Sequence, residues 1–226
     1  SAPGITVGTQ TVASGLQTTA GVQLGASNHG GVTVRITSLD TSTLLVSPNA
    51  TTAGTEFIDV PVANGSTGIS YYVQGVEGAT GTPAVTVSAP GFVDGQNTIS
   101  VVPPAISLGG TLSATTTTLS SDDPFVAYIG YQYSNSVWSQ NIRAGGTPVT
   151  VTFTSTAPTV GTLVTTAQTG GTVTATIGVG QAYTPTSVAA GGVAFDPLTA
   201  GQTTVSASAT GFIATPAASV TVTVDP

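Results

Sequence analysis

The sequence lacks several residue types, and each absence removes a class of chemistry. Its 226 residues include no cysteine and no methionine. Without cysteine the chain has no disulfide bond, no thiolate nucleophile and no thiolate metal ligand. Lysine is also missing, since the two basic residues are Arg35 and Arg143, so covalent Lys–Asn and Lys–Asp crosslinks are excluded as well. Whatever stabilises the fold must therefore be non-covalent.

Charge is scarce and mostly negative. Charged residues make up 5% of the chain, and the formal net charge is -7. Nucleic acids and anionic membranes attract proteins through clusters of Lys and Arg, so neither is an expected partner. Thr, Ser, Asn, Gln and Gly must form most of the surface, which is unusual for a cytosolic protein. With only two trypsin sites, this composition suits a protein that persists outside the cell.

Long hydrophobic runs are missing too. Apolar residues alternate with hydroxyl residues, and no run approaches the roughly 20 residues that a membrane helix requires. We therefore expect no membrane insertion. The opening residues "SAPGITVG" lack the basic and apolar regions of a signal peptide, which predicts that a signal has been removed or that the sequence is an excerpt.

Short alternating segments fill the chain instead. Examples are "ITVGTQTV", "VTVRITS" and "EFIDVPV", separated by Gly, Pro and Asn. Alternation with a period of two in β-branched residues indicates strands, and no window shows the helical period. About seven short strands per 100 residues is typical of an immunoglobulin-like sandwich. The sequence therefore predicts an all-β protein.

An internal repeat indicates two such sandwiches. "VSAPGF" at 87–92 and "SASATGF" at 206–212 align with an offset of 120, which superposes Gly91 on Gly211 and Phe92 on Phe212. Further back, "GGVTVRITS" at 30–38 matches "GGTPVTVTFTS" at 145–155. We predict tandem immunoglobulin-like domains at 1–103 and 104–226, with loop insertions in the second near 113–140 and 156–190.

The joint between the copies holds two consecutive prolines, Pro103 and Pro104. Proline fixes φ, and proline pairs favour a stiff, extended chain. A flexible linker is therefore absent, and the two domains are expected to lie end to end.

The order of segments in the first copy resembles a known family. "VTVRITSLDTSTLLVSPNATTAGT", "YYVQGVEGATGT", "VTVSAPGF" and "NTISVV" follow one another as in tandem bacterial immunoglobulin-like repeats, the Big-type repeats of very large secreted or surface proteins. The resemblance covers 1–103, and the second copy departs from it in its insertions. It implies the fold and an extracellular location. It implies no catalytic residues and no cofactor.

Two polar motifs invite functional interpretations. His29, in "SNHGG", is the only histidine, and a turn residue is the preferred interpretation because triads and zinc sites need further partners. Asp122-Asp123 is the only acidic doublet. A solvated turn is preferred there, and the alternatives are oxygen ligands for Ca²⁺ or half of a glycosidase carboxylate pair.

The aromatic segment "FVAYIGYQYSNSVWSQNIR" at 125–143 offers the best local indication of binding. The preferred interpretation is a core packed around Trp138. In the alternative, Tyr128, Tyr131, Tyr133 and Trp138 are exposed and contact a sugar ring or a partner protein.

Asn49-Ala50-Thr51 and Asn64-Gly65-Ser66 match the N-glycan acceptor pattern. The sequence as a whole predicts a non-catalytic extracellular structural protein, a stiff spacer or stalk or a building block of a bacterial surface fibre, sheath or giant adhesin. The alternative is a carbohydrate- or receptor-binding adhesin module that uses the aromatic segment. Expected partners are further copies or neighbouring repeats, and surface glycans.

Overall fold

The computed structural model describes residues 1–226 and consists of β-strands, with two short 3-10 turns at Val188–Ala190 and Pro216–Ala218 and no α-helix. The chain forms two compact units. Unit 1 comprises residues 1–103 together with 140–146, and unit 2 comprises 104–139 together with 147–226.

Twenty-two strands follow one another along the chain. Up to Pro103 they are β1 Ile5–Val7, β2 Gln10–Ala13, β3 Leu16–Leu24, β4 Val32–Ser38, β5 Leu44–Ser47, β6 Phe57–Val62, β7 Gly68–Gly75, β8 Ala84–Ser88 and β9 Gly95–Val102. After Pro103 they are β10 Pro104–Gly110, β11 Thr115–Thr117, β12 Asp123–Tyr133, β13 Ser136–Ser139, β14 Asn141–Ile142, β15 Val149–Ser155, β16 Gly161–Val164, β17 Thr169–Gly170, β18 Thr172–Ile177, β19 Val193–Pro197, β20 Gly201–Ser208, β21 Ile213–Ala214 and β22 Ser219–Asp225.

Unit 1 is a sandwich of two sheets. One sheet has the order β1-β3-β7-β5, with β14 also paired to β3, and the other has the order β2-β9-β8-β4-β6. These are the A-B-E-D and G-F-C orders of an immunoglobulin sandwich, extended by β2 beside β9 and by β6 beside β4. The prediction of an immunoglobulin-like all-β fold is confirmed.

Alternation along each strand builds the core of unit 1. In β4, Val34 and Ile36 are fully buried, while Thr33 and Arg35 face outward. Tyr71 of β7 and Ile99 of β9 complete the buried cluster from the two facing sheets. Burying each such side chain contributes about 1.5–3 kcal/mol, so the sheets are held by apolar packing rather than by charge.

Unit 2 repeats this order. Its sheets are β17-β16-β19-β12-β10-β21, with β13 paired to β12, and β11-β22-β20-β15-β18. Strands β10, β12, β19 and β16 take the places of β1, β3, β7 and β5. Phe125 of β12 packs edge to face on Phe153 of β15, with ring centroids 5.5 Å apart, and so joins the two sheets.

The repeat extends to individual turns. Gly91 and Gly211 have φ angles of 83° and 82°. In both turns the N–H of the following phenylalanine, Phe92 or Phe212, donates to the carbonyl three residues earlier at 3.1 Å. Such a φ favours glycine because it lacks a Cβ, which explains why both copies have glycine at this position of the turn.

One segment lies elsewhere than expected. Residues 140–146, assigned from the sequence to the second domain, belong to unit 1, where β14 pairs with β3. Gln140, Ile142 and Ala144 alternate inward and are buried there, so the segment has the pattern of a strand rather than of a surface loop. That the units fold as independent domains stays a prediction.

Candidate functional site

The aromatic segment forms a hairpin of β12 and β13 in unit 2. Tyr131 lies directly opposite Trp138, and Tyr133 lies opposite Ser136. Directly opposed residues of an antiparallel pair share a face, as do residues i and i+2. Tyr131, Tyr133 and Trp138 therefore lie on one face of the hairpin, which we call the aromatic face.

Trp138 is not a core residue, so the preferred sequence interpretation is wrong. Its exposed fraction is 62%, and that of Tyr133 is 63%. The reason is local: Val137 takes the buried position in this four-residue strand, and alternation turns Trp138 outward. The rings of Tyr133 and Trp138 meet edge to face with centroids 6.4 Å apart.

Backbone requirements fix the hairpin. A Cβ at Gly130 would collide with the carbonyl oxygen of Trp138, so the close approach of β12 and β13 requires glycine there. At the tip, Ser134 has a φ of 56° and is the only non-glycine residue with a positive φ. Such a conformation costs about 1–2 kcal/mol for a residue with a Cβ, so the tip is held by the strand pairing on either side.

Tyr128 lies on the opposite face of β12 and stacks on Tyr183, with centroids 5.5 Å apart and an interplanar angle of 24°. Tyr183 is partly exposed. The sequence analysis predicted Tyr128 as a contact residue together with the hairpin aromatics, and it did not predict Tyr183. That tyrosine stands alone in "QAYTP", 55 positions away, and no local signal joins the two.

The aromatic face is uncharged. Residues 125–139 include no charged side chain. Aromatic rings stack on the apolar faces of sugar rings and of other side chains, and the nearby Gln132, Asn135 and Ser136 are exposed hydrogen-bonding groups. Residues 125–139 also include no histidine and no cysteine.

His29 is a turn residue in unit 1. Its Nδ1 accepts a hydrogen bond from the N–H of Gly31 at 3.2 Å. Its Nε2–H donates to the carbonyl oxygen of Ser66 at 2.9 Å. Its ring also meets Phe92 edge to face. Both ring nitrogens are thus occupied by backbone groups in the turn.

Asp123 of the acidic doublet has hydrogen-bonding partners in unit 2. The carboxylate of Asp123 accepts from the Ser113 N–H at 3.0 Å and from the Thr111 hydroxyl at 3.3 Å. Burial, and secondarily the negative charge of Asp122, raise the pKa of Asp196. No group of three or more His, Cys, Asp or Glu residues is arranged to hold a metal ion.

Both N-glycan acceptor asparagines are exposed. The Asn49 side-chain oxygen accepts from the N–H groups of Thr51 and Thr52 at 3.0 and 2.9 Å. The Asn64 side-chain oxygen accepts from the N–H of Gly30 at 2.8 Å. Glycosylation at either position stays a prediction.

No helix has the length and apolar character needed to cross a membrane. No protein-family model matches the chain, and no curated protein matches it.

Solved structures give similar folds at low scores. The adhesin InvE of Yersinia pseudotuberculosis is 15% identical, with a TM-score of 0.33, and the match covers 98% of this chain and 58% of that chain. The polymeric Ig receptor ectodomain of a teleost fish is 11% identical, with a TM-score of 0.32 and 98% of each chain covered. A non-cellulosomal cohesin of the archaeon Archaeoglobus fulgidus is 17% identical, with a TM-score of 0.32, over 45% of this chain and 92% of that chain. At these scores the fold assignment rests on the strand order of the chain itself.

Proposed function

We propose that the chain is a non-catalytic structural module of the bacterial cell exterior, of the Big type, serving as a stiff spacer or as a building block of a surface fibre. The observation that carries the proposal is the repetition of one sandwich topology in both units, with only Pro103 between the last strand of the first copy, β9, and the first strand of the second, β10. A short joint between repeated units transmits force without a loose linker. The scarcity of charge and of trypsin sites suits long exposure to the medium.

Negative-stain microscopy of the native material tests this proposal. We expect regular filaments or slender projections that an antibody against the chain decorates along their length. Labelling confined to the cytoplasm, or to compact particles without a projection, would contradict it.

A second function, binding of neutral glycans or a receptor, is favoured by the exposed pair Tyr133 and Trp138. Its test is retention on immobilised surface glycans by the parent chain and by the double variant Tyr133→Ala/Trp138→Ala. The matched control is Leu119→Ala, which removes another exposed apolar side chain of unit 2. Loss of retention in the double variant alone supports binding at the aromatic face, and equal retention by all three chains excludes it.

A further inference from the structure

Unit 1 contains a groove that is filled by residues 140–146, which we call the inserted segment. The segment pairs antiparallel with β3, with Asn141 opposite Gln17 and Ile142 opposite Leu16. The ladder continues through the N–H of Arg143, which donates to the Gly15 carbonyl at 3.1 Å. The segment therefore docks as an added strand.

Side chains make the docking specific. The Gln140 carboxamide imitates a strand backbone: its oxygen accepts from the Ala13 N–H at 2.9 Å, and its nitrogen donates to the Thr11 carbonyl at 2.8 Å. The Gln17 oxygen accepts from the Ala144 N–H at 3.0 Å. Ala13 and Gln17 are buried, and a buried polar group without a partner is costly. Residues 1–103 therefore form a site that needs this ligand.

A bidentate ion pair closes the site. Arg143 Nη2 lies 2.7 Å from one Glu77 carboxylate oxygen, and Arg143 Nε donates to both oxygens at 3.0 and 3.1 Å. Planar pairing of this kind selects arginine over lysine. Beyond it, Gly145 has a φ of 77°, and a Cβ there would press on the Ala53 side chain. The groove thus favours particular residues at several positions of the segment.

We propose that the groove also accepts the inserted segment of a second copy, so that copies join by exchanging it. Every copy carries one groove and one segment, and all the contacts above would be the same between copies as within one. Short connections favour exchange over self-closure, and only Pro103 separates β9 from β10. The proposal rests on the structural role proposed above and identifies the partner as the chain itself.

Reversing the charges of the ion pair tests the exchange in the full chain. In Arg143→Glu, and separately in Glu77→Arg, the segment meets a like charge in its own groove. In a mixture, each variant offers the other an opposite charge. We expect the two variants, unfolded and refolded together, to yield a species of twice the monomer mass by size-exclusion chromatography with light scattering. Each variant alone should remain monomeric at the same concentration. The double variant Arg143→Glu/Glu77→Arg should show the same proportion of monomer and dimer as the parent chain, because its groove and segment again carry opposite charges.

The second ion pair of the chain supplies the matched control. Arg35 and Asp59 face each other on the paired strands β4 and β6, so a mixture of Arg35→Glu and Asp59→Arg should remain monomeric. Far-UV circular dichroism follows folding in parallel. Should the Arg143 and Glu77 variants fail to fold alone, the mixture should recover the fold.

A mixture of the Arg143 and Glu77 variants that stays monomeric, or that recovers no structure, overturns the exchange. That result leaves the spacer role untouched, because the spacer role depends on the shape of the single chain.

Discussion

Arg143 and Glu77, 66 positions apart, form a bidentate ion pair within unit 1. The Arg143 side chain is 13% exposed, whereas that of Arg35 in the other ion pair is 51% exposed. The difference matters because exposed pairs are screened by water and contribute little. The Arg143 guanidinium is largely covered, while its partner Glu77 is 44% exposed, as Asp59 is at 41%.

We predict that Arg143→Ala lowers the free energy of unfolding by about 1–2 kcal/mol, since hydrogen bonds to a partly buried charge are lost. Urea titration measures the change. Arg35→Ala is the control and should cause a smaller loss. Equal losses would mean that the Arg143–Glu77 pair contributes no more to stability than the exposed Arg35–Asp59 pair.

Tyr71→Phe should stabilise unit 1. The hydroxyl of Tyr71 is buried and has no hydrogen-bond partner, and an unsatisfied buried group costs about 1–3 kcal/mol. A rise in melting temperature is expected by calorimetry. A fall would indicate that the hydroxyl has a partner and that the core packs around it.

Alkaline pH should destabilise the fold through the same residue. Burial raises the pKa of Tyr71 from 10.0 to about 12. Between these values the folded chain keeps a proton that the unfolded chain releases, so stability that is fully present below pH 10 falls by up to about 2–3 kcal/mol by pH 12. Denaturant titrations across this range should show the fall in the parent chain, and a flatter profile in Tyr71→Phe. Parallel profiles would contradict the shifted pKa.

Gly91→Val and Gly211→Val should destabilise their units to a similar extent, by about 1–2 kcal/mol or more. A Cβ at either glycine meets no atom within 4 Å, so the cost comes from the positive φ and not from a collision. Gly4→Val and Gly170→Val are controls with open space and no positive φ. If the melting temperature fell equally in all four variants, the loss of stability would not come from the positive φ of the turn glycines.

Trp138 is the single tryptophan, so its fluorescence reports the aromatic face directly. We expect acrylamide to quench the folded chain nearly as well as the urea-unfolded chain. Weak quenching that increases on unfolding would show that the indole is covered.

Periodicity and repetition predicted the strands, the sandwich and the paired turn glycines, because these depend on local alternation and on backbone conformation. Trp138 and Val137 were harder, since both neighbours are apolar and alternation alone does not say which of the two faces the core. Residues 140–146 alternate visibly, but their partner strand lies more than 120 positions earlier. Pairing at that distance leaves no local trace in one sequence.

Small-angle X-ray scattering on the isolated chain tests the spacer role most directly. A compact protein of this length has a radius of gyration of about 17 Å. The proposal predicts a monomer with a clearly larger value, because a spacer must be longer than a compact protein with the same number of residues. A monomer at or below the compact value would contradict the spacer role.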